Sequence, residues 1–172
     1  MMGMIEVVVQ NLGVDPTSNS PVVILREKDG HRFLPIWIGP AEANAIAMKL
    51  QDKQAPRPMT HDLLTQVVTG LGGTLRRVFI KSVKENTYYA EMVIDRDDHV
   101  FQVDARPSDS IAIALRLEAP IFTDDRLLSD PVEADDVIPS DDVIPSDPAL
   151  NAELLKQRLE KLDPQDFGRF NP

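Results

Sequence analysis

The segment Arg57-Pro58-Met59-Thr60-His61-Asp62 places a guanidinium, an imidazole and a carboxylate next to one another. Arg57 could bind a phosphate through two parallel hydrogen bonds, and His61 could carry a proton near neutral pH. Asp62 could hold a metal ion or orient the imidazole. These groups suit phosphodiester cleavage. The alternative is structural: Thr60 caps a helix, Asp62 compensates the helix dipole, and His61 is a solvated first-turn residue.

An internal repeat puts two further acids in equivalent positions. The runs Pro40–Leu50 and Pro107–Leu117 both follow the pattern P-x-[E/D]-x-x-A-I-A-[M/L]-[K/R]-L, so Glu42 matches Asp109. Both acids fall in the first turn of a predicted helix, where a carboxylate is favoured by about 0.3–1 kcal/mol. They either serve the helix dipole alone or, if the two copies pair about a pseudo-two-fold axis, approach each other to hold a metal ion or position a water.

The third candidate is the link Asp104-Ala105-Arg106-Pro107-Ser108-Asp109, which leaves a predicted strand and enters a predicted helix. Its backbone N–H groups could bind an anion beside Arg106, while Asp104 and Asp109 could hold a metal ion. An ion pair between Arg106 and one of these acids is the competing structural explanation.

The elements that must position these residues follow from periodicity and turn signals. We predict helices over residues 40–50, 60–71 and 107–117, and strands over residues 5–12, 22–26, 32–38, 74–83, 88–95, 100–105 and 120–123. The two halves differ by one residue in the spacing between strand and helix, which a β-bulge could supply. The predicted fold is therefore α+β, with duplicated strand-strand-helix units that form a mostly antiparallel or mixed sheet packed by short helices.

The predicted helices differ in their apolar surfaces. The two repeated helices are rich in Ala, Ile and Leu on most sides, so we expect them to be largely buried against the sheet. The middle helix begins with Thr60 as its expected N-cap and ends before Gly72-Gly73. It carries one apolar face, which consists of Leu63, Leu64, Val67, Val68 and Leu71.

Composition limits the chemistry that is available. There is no cysteine, and the histidines are His31, His61 and His99, so thiol nucleophiles and thiolate zinc sites are excluded. Any metal site would rest mainly on carboxylates, which favours Mg or Mn, and no motif indicates an organic cofactor. The net charge of −10 opposes binding to nucleic-acid phosphates, but residues 129–172 hold −7 of it. The folded part is close to neutral, so it could still carry a local basic groove.

Three regions are predicted along the chain: a domain over residues 1–128, an acidic linker over 129–148 and a tail over 149–172. The linker repeats Asp-Asp-Val-Ile-Pro-Ser without change, a composition that builds no core. In the tail, residues 149–162 have leucines at helical spacing, and this amphipathic helix is expected to dock on the domain or on a protein partner. No apolar run is long enough to cross a membrane and no signal-peptide pattern is present, so a cytoplasmic location is expected.

Several blocks, taken in order, resemble the bifunctional nuclease (DNase/RNase) domain family. The resemblance covers about residues 4–128, and only the combination of blocks is specific. The matching blocks are Leu34-Pro35-Ile36-Trp37-Ile38-Gly39, Glu42-Ala43, Arg57-Pro58-Met59-Thr60-His61-Asp62-Leu63-Leu64, Asp104-Ala105-Arg106-Pro107-Ser108-Asp109 and Ala112-Ile113-Ala114-Leu115-Arg116. Ser110 departs from the Ala expected there, which should not affect the chemistry.

The resemblance implies an α+β fold, a wedge-shaped homodimer with a broad groove as its active site, and hydrolysis of both DNA and RNA. Its matching positions imply a set of groove residues: Glu42, Arg57, His61, Asp62, Asp104, Arg106 and Asp109. In the resulting hypothesis, carboxylates among Glu42, Asp62, Asp104 and Asp109 hold a divalent ion, Arg57 or Arg106 binds phosphate, and His61 moves a proton. The rival hypothesis is a non-catalytic dimeric module that binds a nucleotide, an anion or a protein.

Overall fold

The computed structural model describes residues 3–85 and 87–130. This part of the chain contains seven strands and three α-helices. In chain order they are β1 (Met4–Val14), β2 (Pro21–Glu27), β3 (Phe33–Trp37), α1 (Pro40–Leu50), α2 (Thr60–Gly70), β4 (Thr74–Lys84), β5 (Thr87–Arg96), β6 (His99–Ala105), α3 (Pro107–Leu117) and β7 (Ile121–Asp124). This is the α+β fold that the sequence predicts.

All of these strands belong to one mixed sheet in the order β3-β2-β1-β7-β4-β5-β6. β7 lies in the middle, antiparallel to β1 and parallel to β4. Each half of the sheet is an antiparallel meander followed by a helix: β1-β2-β3-α1 on one side and β4-β5-β6-α3 on the other. The duplicated unit predicted from the helical repeat is therefore confirmed, and each copy contains one more strand than the repeat showed.

One hydrophobic core joins the sheet to α1 and α3. Every strand supplies apolar side chains to it, from Val7 in β1 to the partly buried Ala105 in β6. α3 is the most deeply buried helix, with Ile111 and Ala112 fully enclosed. Because burial of apolar side chains is the main stabilising term in folding, this core fixes where the first turns of α1 and α3 lie.

α1 and α3 begin alike because their sequences begin alike. Each has proline at its first position, where the missing N–H costs nothing, and an acid in its first turn. The prediction that Thr60 is the N-cap of α2 is wrong. Thr60 is the first helical residue, and Met59 is the N-cap. Asp62 supplies the cap instead: its Oδ2 accepts a hydrogen bond of 2.9 Å from the backbone N–H of Met59.

The prediction that a β-bulge absorbs the spacing difference between the repeats is wrong. The pairing of β2 with β3 and of β5 with β6 is regular. The extra residue lies in the connection between strand and helix, which is Ile38-Gly39 before α1 but Arg106 alone before α3. As a result, Gly39 and Arg106 are equivalent N-cap residues with different side chains.

The apolar face of α2 points outward. Leu63 is 55% exposed, Val67 45% and Leu71 62%, and the nearby Met59 is 47% exposed. Thr65 is the helix's buried residue. α2 therefore carries an apolar surface, made of Met59, Leu63, Leu64, Val67 and Leu71, that the described part of the chain leaves uncovered.

The two edges of the sheet differ. On one edge, Phe33 of β3 exchanges two backbone hydrogen bonds of 2.9 Å with Ser129, the first residue of the predicted linker. On the other edge, β6 has no further strand beside it within residues 3–85 and 87–130. The rest of the predicted linker from residue 131, and the predicted tail helix, lie outside the described residues. No helix in the described ranges is long and apolar enough to span a membrane.

Candidate active site

Arg106 joins the two acids that the repeat makes equivalent. Its terminal nitrogen donates a hydrogen bond of 2.7 Å to Oε1 of Glu42, and its Nε donates one of 2.8 Å to Oδ2 of Asp109. The first turns of α1 and α3 therefore approach each other, as the pseudo-two-fold arrangement predicts. A guanidinium fills the space between their carboxylates.

His61 contacts the same cluster from α2. Its Nε2 lies 2.9 Å from Oδ1 of Asp109, and the imidazole is only 14% exposed. Asp109 thus uses one carboxylate oxygen for Arg106 and the other for His61. The remaining ring nitrogen, Nδ1, makes no hydrogen bond within the part of the chain that the structure describes. A neutral His61 that donates from Nε2 to Asp109 would leave Nδ1 as a free proton acceptor.

The environment keeps Asp109 ionised. Burial acts to raise its pKa, but the hydrogen bonds from Arg106 and His61 outweigh burial and hold the pKa below the ordinary value of 3.8. The pKa of Arg106 is raised, chiefly by its hydrogen bond to Asp109. At neutral pH the site therefore holds a fixed carboxylate that can orient a neutral imidazole and stabilise a protonated one.

Asp62 lies beside this cluster but has other partners. Nε of Arg116 donates a hydrogen bond of 2.6 Å to Oδ1 of Asp62. That bond, with the one from Met59, holds the pKa of Asp62 below its ordinary value. Arg116 also donates to the carbonyls of Ala45, at 3.1 Å, and Ala112, at 2.9 Å. One guanidinium therefore ties the start of α2 to both α1 and α3.

The other two predicted site residues lie apart from the Arg106 cluster. Arg57 is exposed in the loop before α2 and lines a cleft that also includes Asp62. Asp104 is exposed on β6, opposite Glu91 of β5. Because neighbouring side chains in a strand point to opposite faces and Ala105 faces the core, Asp104 faces away from the helices. The structure thus brings together Glu42, His61, Arg106 and Asp109, with Asp62 adjacent.

The acids predicted to hold a divalent ion do not form a metal site in this arrangement. Across residues 3–85 and 87–130, no three His, Asp or Glu side chains come together in a way that could hold a metal ion. Glu42 and Asp109 face Arg106, Asp62 faces Arg116, and Asp104 is on the opposite face of the sheet. The use of Mg or Mn stays a prediction.

Sequence reasoning missed two residues that shape the site. Arg116 ends one of the blocks that carry the resemblance, yet its contact with Asp62 spans 54 positions, so spacing alone could not reveal it. Gly39 aligns with Arg106 in the repeat, and a Cβ there would overlap Oε2 of Glu42. The signal for this in the sequence was a glycine at the position where the second copy of the repeat has arginine.

Comparison with known families identifies the domain. The sequence profile of the bifunctional nuclease domain matches residues 23–136, about two thirds of the chain. This chain belongs to the bifunctional nuclease domain family.

Individual relatives align with this chain over different shares of its length. An uncharacterized protein of Mycobacterium tuberculosis strain H37Rv is 41% identical over 167 residues, which cover 94% of this chain and 97% of the relative. Bifunctional nuclease 1 of Oryza sativa subsp. japonica is 24% identical over 116 residues, 66% of this chain and 35% of that protein. Bifunctional nuclease 2 of Arabidopsis thaliana is 29% identical over 104 residues, which cover 58% of this chain and 31% of that protein.

Proposed function

We propose that this chain is a nuclease that hydrolyses phosphodiester bonds of DNA and RNA. Membership of the bifunctional nuclease domain family supports this class of reaction. The observation that carries the proposal is the 2.9 Å contact between Nε2 of His61 and Oδ1 of Asp109. An imidazole oriented by a carboxylate, with its second nitrogen free, is an arrangement suited to general base catalysis.

In the proposed reaction, water attacks the phosphorus while Nδ1 of His61 accepts the proton of that water. Asp109 stabilises the resulting imidazolium, and Arg106 holds Asp109 in place. The new P–O bond forms as the bond to the leaving oxygen breaks, and the imidazolium returns its proton to that oxygen or to solvent. General acid–base catalysis of this kind contributes roughly 10²–10⁴-fold to rate. No step of this scheme passes through a metal ion.

Binding of the phosphate is assigned to Arg57. Arg106 already donates to both Glu42 and Asp109, so it would have to break an ion pair to bind substrate. Arg57 is exposed and makes no ion pair with the described residues. Its planar guanidinium can donate two hydrogen bonds to one phosphate.

A non-catalytic binding module is the second candidate. The observation that favours it is that Glu42, Asp62 and Asp109 are all engaged by arginines and do not converge on a metal site. Such a network can be architecture alone. This module would bind a nucleotide, an anion or a protein stoichiometrically and would not turn it over.

A homodimer is part of the proposal. The outward apolar surface of α2 supports it, because large exposed apolar patches are typical of protein interfaces. The open edge of β6 offers unpaired backbone groups beside the exposed side chains of Phe101 and Val103. A second copy could cover either surface.

The direct test is cleavage of single-stranded DNA, double-stranded DNA and RNA by purified protein with Mg, Mn or EDTA. Arg57→Ala should weaken cleavage, whereas Arg77→Ala, which removes an exposed arginine from β4, should not. Cleavage that is equal in all samples, or absent in all, would contradict the proposal. Tight binding of a nucleotide without turnover would favour the binding module. Loss of cleavage in EDTA would support the predicted metal requirement.

A further inference from the structure

A cleft of about 310 Å³ lies between the end of α1, the loop that follows it and the start of α2. Its lining includes Lys49, Lys53 and Arg57. Asp62 also lines the cleft, and it is the immediate neighbour of His61 in the first turn of α2. The cleft therefore begins within one residue of the proposed proton acceptor.

The charge of this cleft is opposite to that of the chain. Arg116 and Asp62 form an ion pair with each other, and the second oxygen of Asp62 accepts from Met59, so this acid offers no free charge to a ligand. Within the described ranges, Lys49, Lys53 and Arg57 make no ion pair. Asp52 is the other acid in the lining. A chain of net charge −10 thus presents here an excess of about two positive charges.

The hydrogen-bonding groups of the cleft also suit an anion. Gln54 and Gln66 add amide donors to those of the lysines and Arg57. Lys53 is exposed and Lys49 is half-buried, so their ammonium groups can reach a ligand in the cleft without crossing the core. The volume is at the lower end of the range that small-molecule sites occupy, roughly 300–1,000 Å³, which suits a phosphate with its sugar.

We propose that Lys49 and Lys53 of this cationic cleft bind a backbone phosphate of single-stranded nucleic acid, next to the cleaved phosphate that Arg57 holds. The assignment rests on the proposed nuclease function, and it adds Lys49 and Lys53 to the residues that contact substrate. Neutralising phosphates releases condensed counterions, so each lysine contributes to affinity and to its dependence on salt. The local cleft explains how an acidic chain can engage a polyanion.

The test measures binding separately from cleavage. Fluorescence anisotropy with a labelled single-stranded DNA oligonucleotide is recorded in EDTA across a series of NaCl concentrations. The double variant Lys49→Gln/Lys53→Gln is compared with Arg77→Gln/Lys84→Gln, which removes two exposed cations from β4. Both variants lose two positive charges, so they have the same net charge. Inorganic phosphate and AMP serve as competitors.

The expected result is about a tenfold or greater loss of affinity in the cleft variant, with the slope of log K against log[salt] reduced by about 1.4. The control should keep the slope of the wild type. Equal weakening in both variants, or no binding by the wild type, would overturn the proposal. Binding of AMP, measured directly by calorimetry, without binding of the oligonucleotide would point to a free nucleotide and also overturn it.

Binding and cleavage together separate the cleft assignment from the proposed nuclease function. If the protein cleaves nucleic acid while the cleft variant binds normally, the cleft assignment is wrong and the nuclease proposal is retained. If the cleft variant loses binding but no sample ever cleaves, the cleft stands and the nuclease proposal fails.

Discussion

Nε2 of His61 lies 2.9 Å from Oδ1 of Asp109, across 48 positions of sequence. His61 is in the first turn of α2 and Asp109 is in the first turn of α3, so two helix starts meet at this contact. Arg106 then links Asp109 to Glu42 at the start of α1. The site is built where three helices begin.

Gly39→Ala should disrupt the Glu42–Arg106 pair, because the new Cβ would overlap Oε2 of Glu42 and push that carboxylate away. A double-mutant cycle with Glu42→Gln, measured by urea unfolding, should show that the two changes are not additive. Gly70→Ala is the matched control, since its Cβ meets nothing within 4 Å and alanine is the better helix former. Additive effects of Gly39→Ala and Glu42→Gln would refute this role for Gly39.

Arg116→Met should destabilise the fold by about 1–3 kcal/mol, because it removes the hydrogen bonds to Ala45 and Asp62 and leaves the carboxylate of Asp62 without its charged partner. Arg116 is 9% exposed, so methionine can keep much of its packing. Urea unfolding measures the loss, with Arg77→Met as an exposed control. A variant as stable as the control would show that Arg116 does not hold the three helices together.

The stability of the folded chain should depend on pH through the ionisation of Asp62. Its hydrogen bond from Arg116, with that from Met59, lowers the pKa of the folded carboxyl below 3.8. A lowered folded pKa means that the stabilisation is fully present above the unfolded pKa and is lost as pH falls through the folded pKa. Asp62→Asn should therefore be less stable than the wild type at pH 6, and the difference should shrink below pH 3.8.

Urea unfolding at pH 6 and at pH 3 measures that difference. Asp98→Asn, a change in the hairpin between β5 and β6, is the control. A gap between Asp62→Asn and wild type that stays constant over this range would rule out the ionised Asp62 as its source.

If the chain forms a dimer through the outward face of α2, changing that face should abolish the dimer. Leu63→Lys/Leu71→Lys replaces two side chains that are 55% and 62% exposed, so the folded monomer should lose little stability. If this face joins two copies, light scattering after size exclusion should show a dimer for the wild type and a monomer for the variant. Val83→Lys, at an exposed position of β4, should leave the mass unchanged. A wild type that is monomeric, or a variant that remains dimeric, would argue against this interface.

The sequence predicts α1 and α3 with the correct bounds because proline at the first position and the repeated apolar pattern fix both helices locally. Strand ends are less certain, since pairing partners decide them: β1 reaches Val14 through its ladder with β2. The exposure of Leu63 and Leu71 could not be predicted either. Periodicity shows that a face is apolar but not what covers it.

The sequence predicted only part of the candidate site: Glu42, His61, Arg106 and Asp109 come together, whereas Arg57 and Asp104 lie apart from them. The repeat made Glu42 equivalent to Asp109 and left open whether the two acids approach each other; in the structure they do, through Arg106. The sequence also offered an ion pair between Arg106 and a nearby acid, and the pair with Asp109 is the one that forms. The second bond of Arg106, to Glu42 at a distance of 64 positions, could not be predicted from a local pattern. The link from His61 to Asp109 depends on how α2 sits against α3, a tertiary arrangement that no local pattern encodes.

Cleavage of single-stranded DNA and RNA by Asp109→Asn, His61→Asn and the double variant is the most direct test of the proposed chemistry. If Asp109 acts through His61, each single change should lower kcat/KM by about 100-fold or more, and the double variant should be no slower than the worse single one. Asp104→Asn, on the opposite face of the sheet, should retain wild-type activity. Near-normal cleavage by folded Asp109→Asn and His61→Asn, or an equal loss in Asp104→Asn, would contradict an active site at this pair.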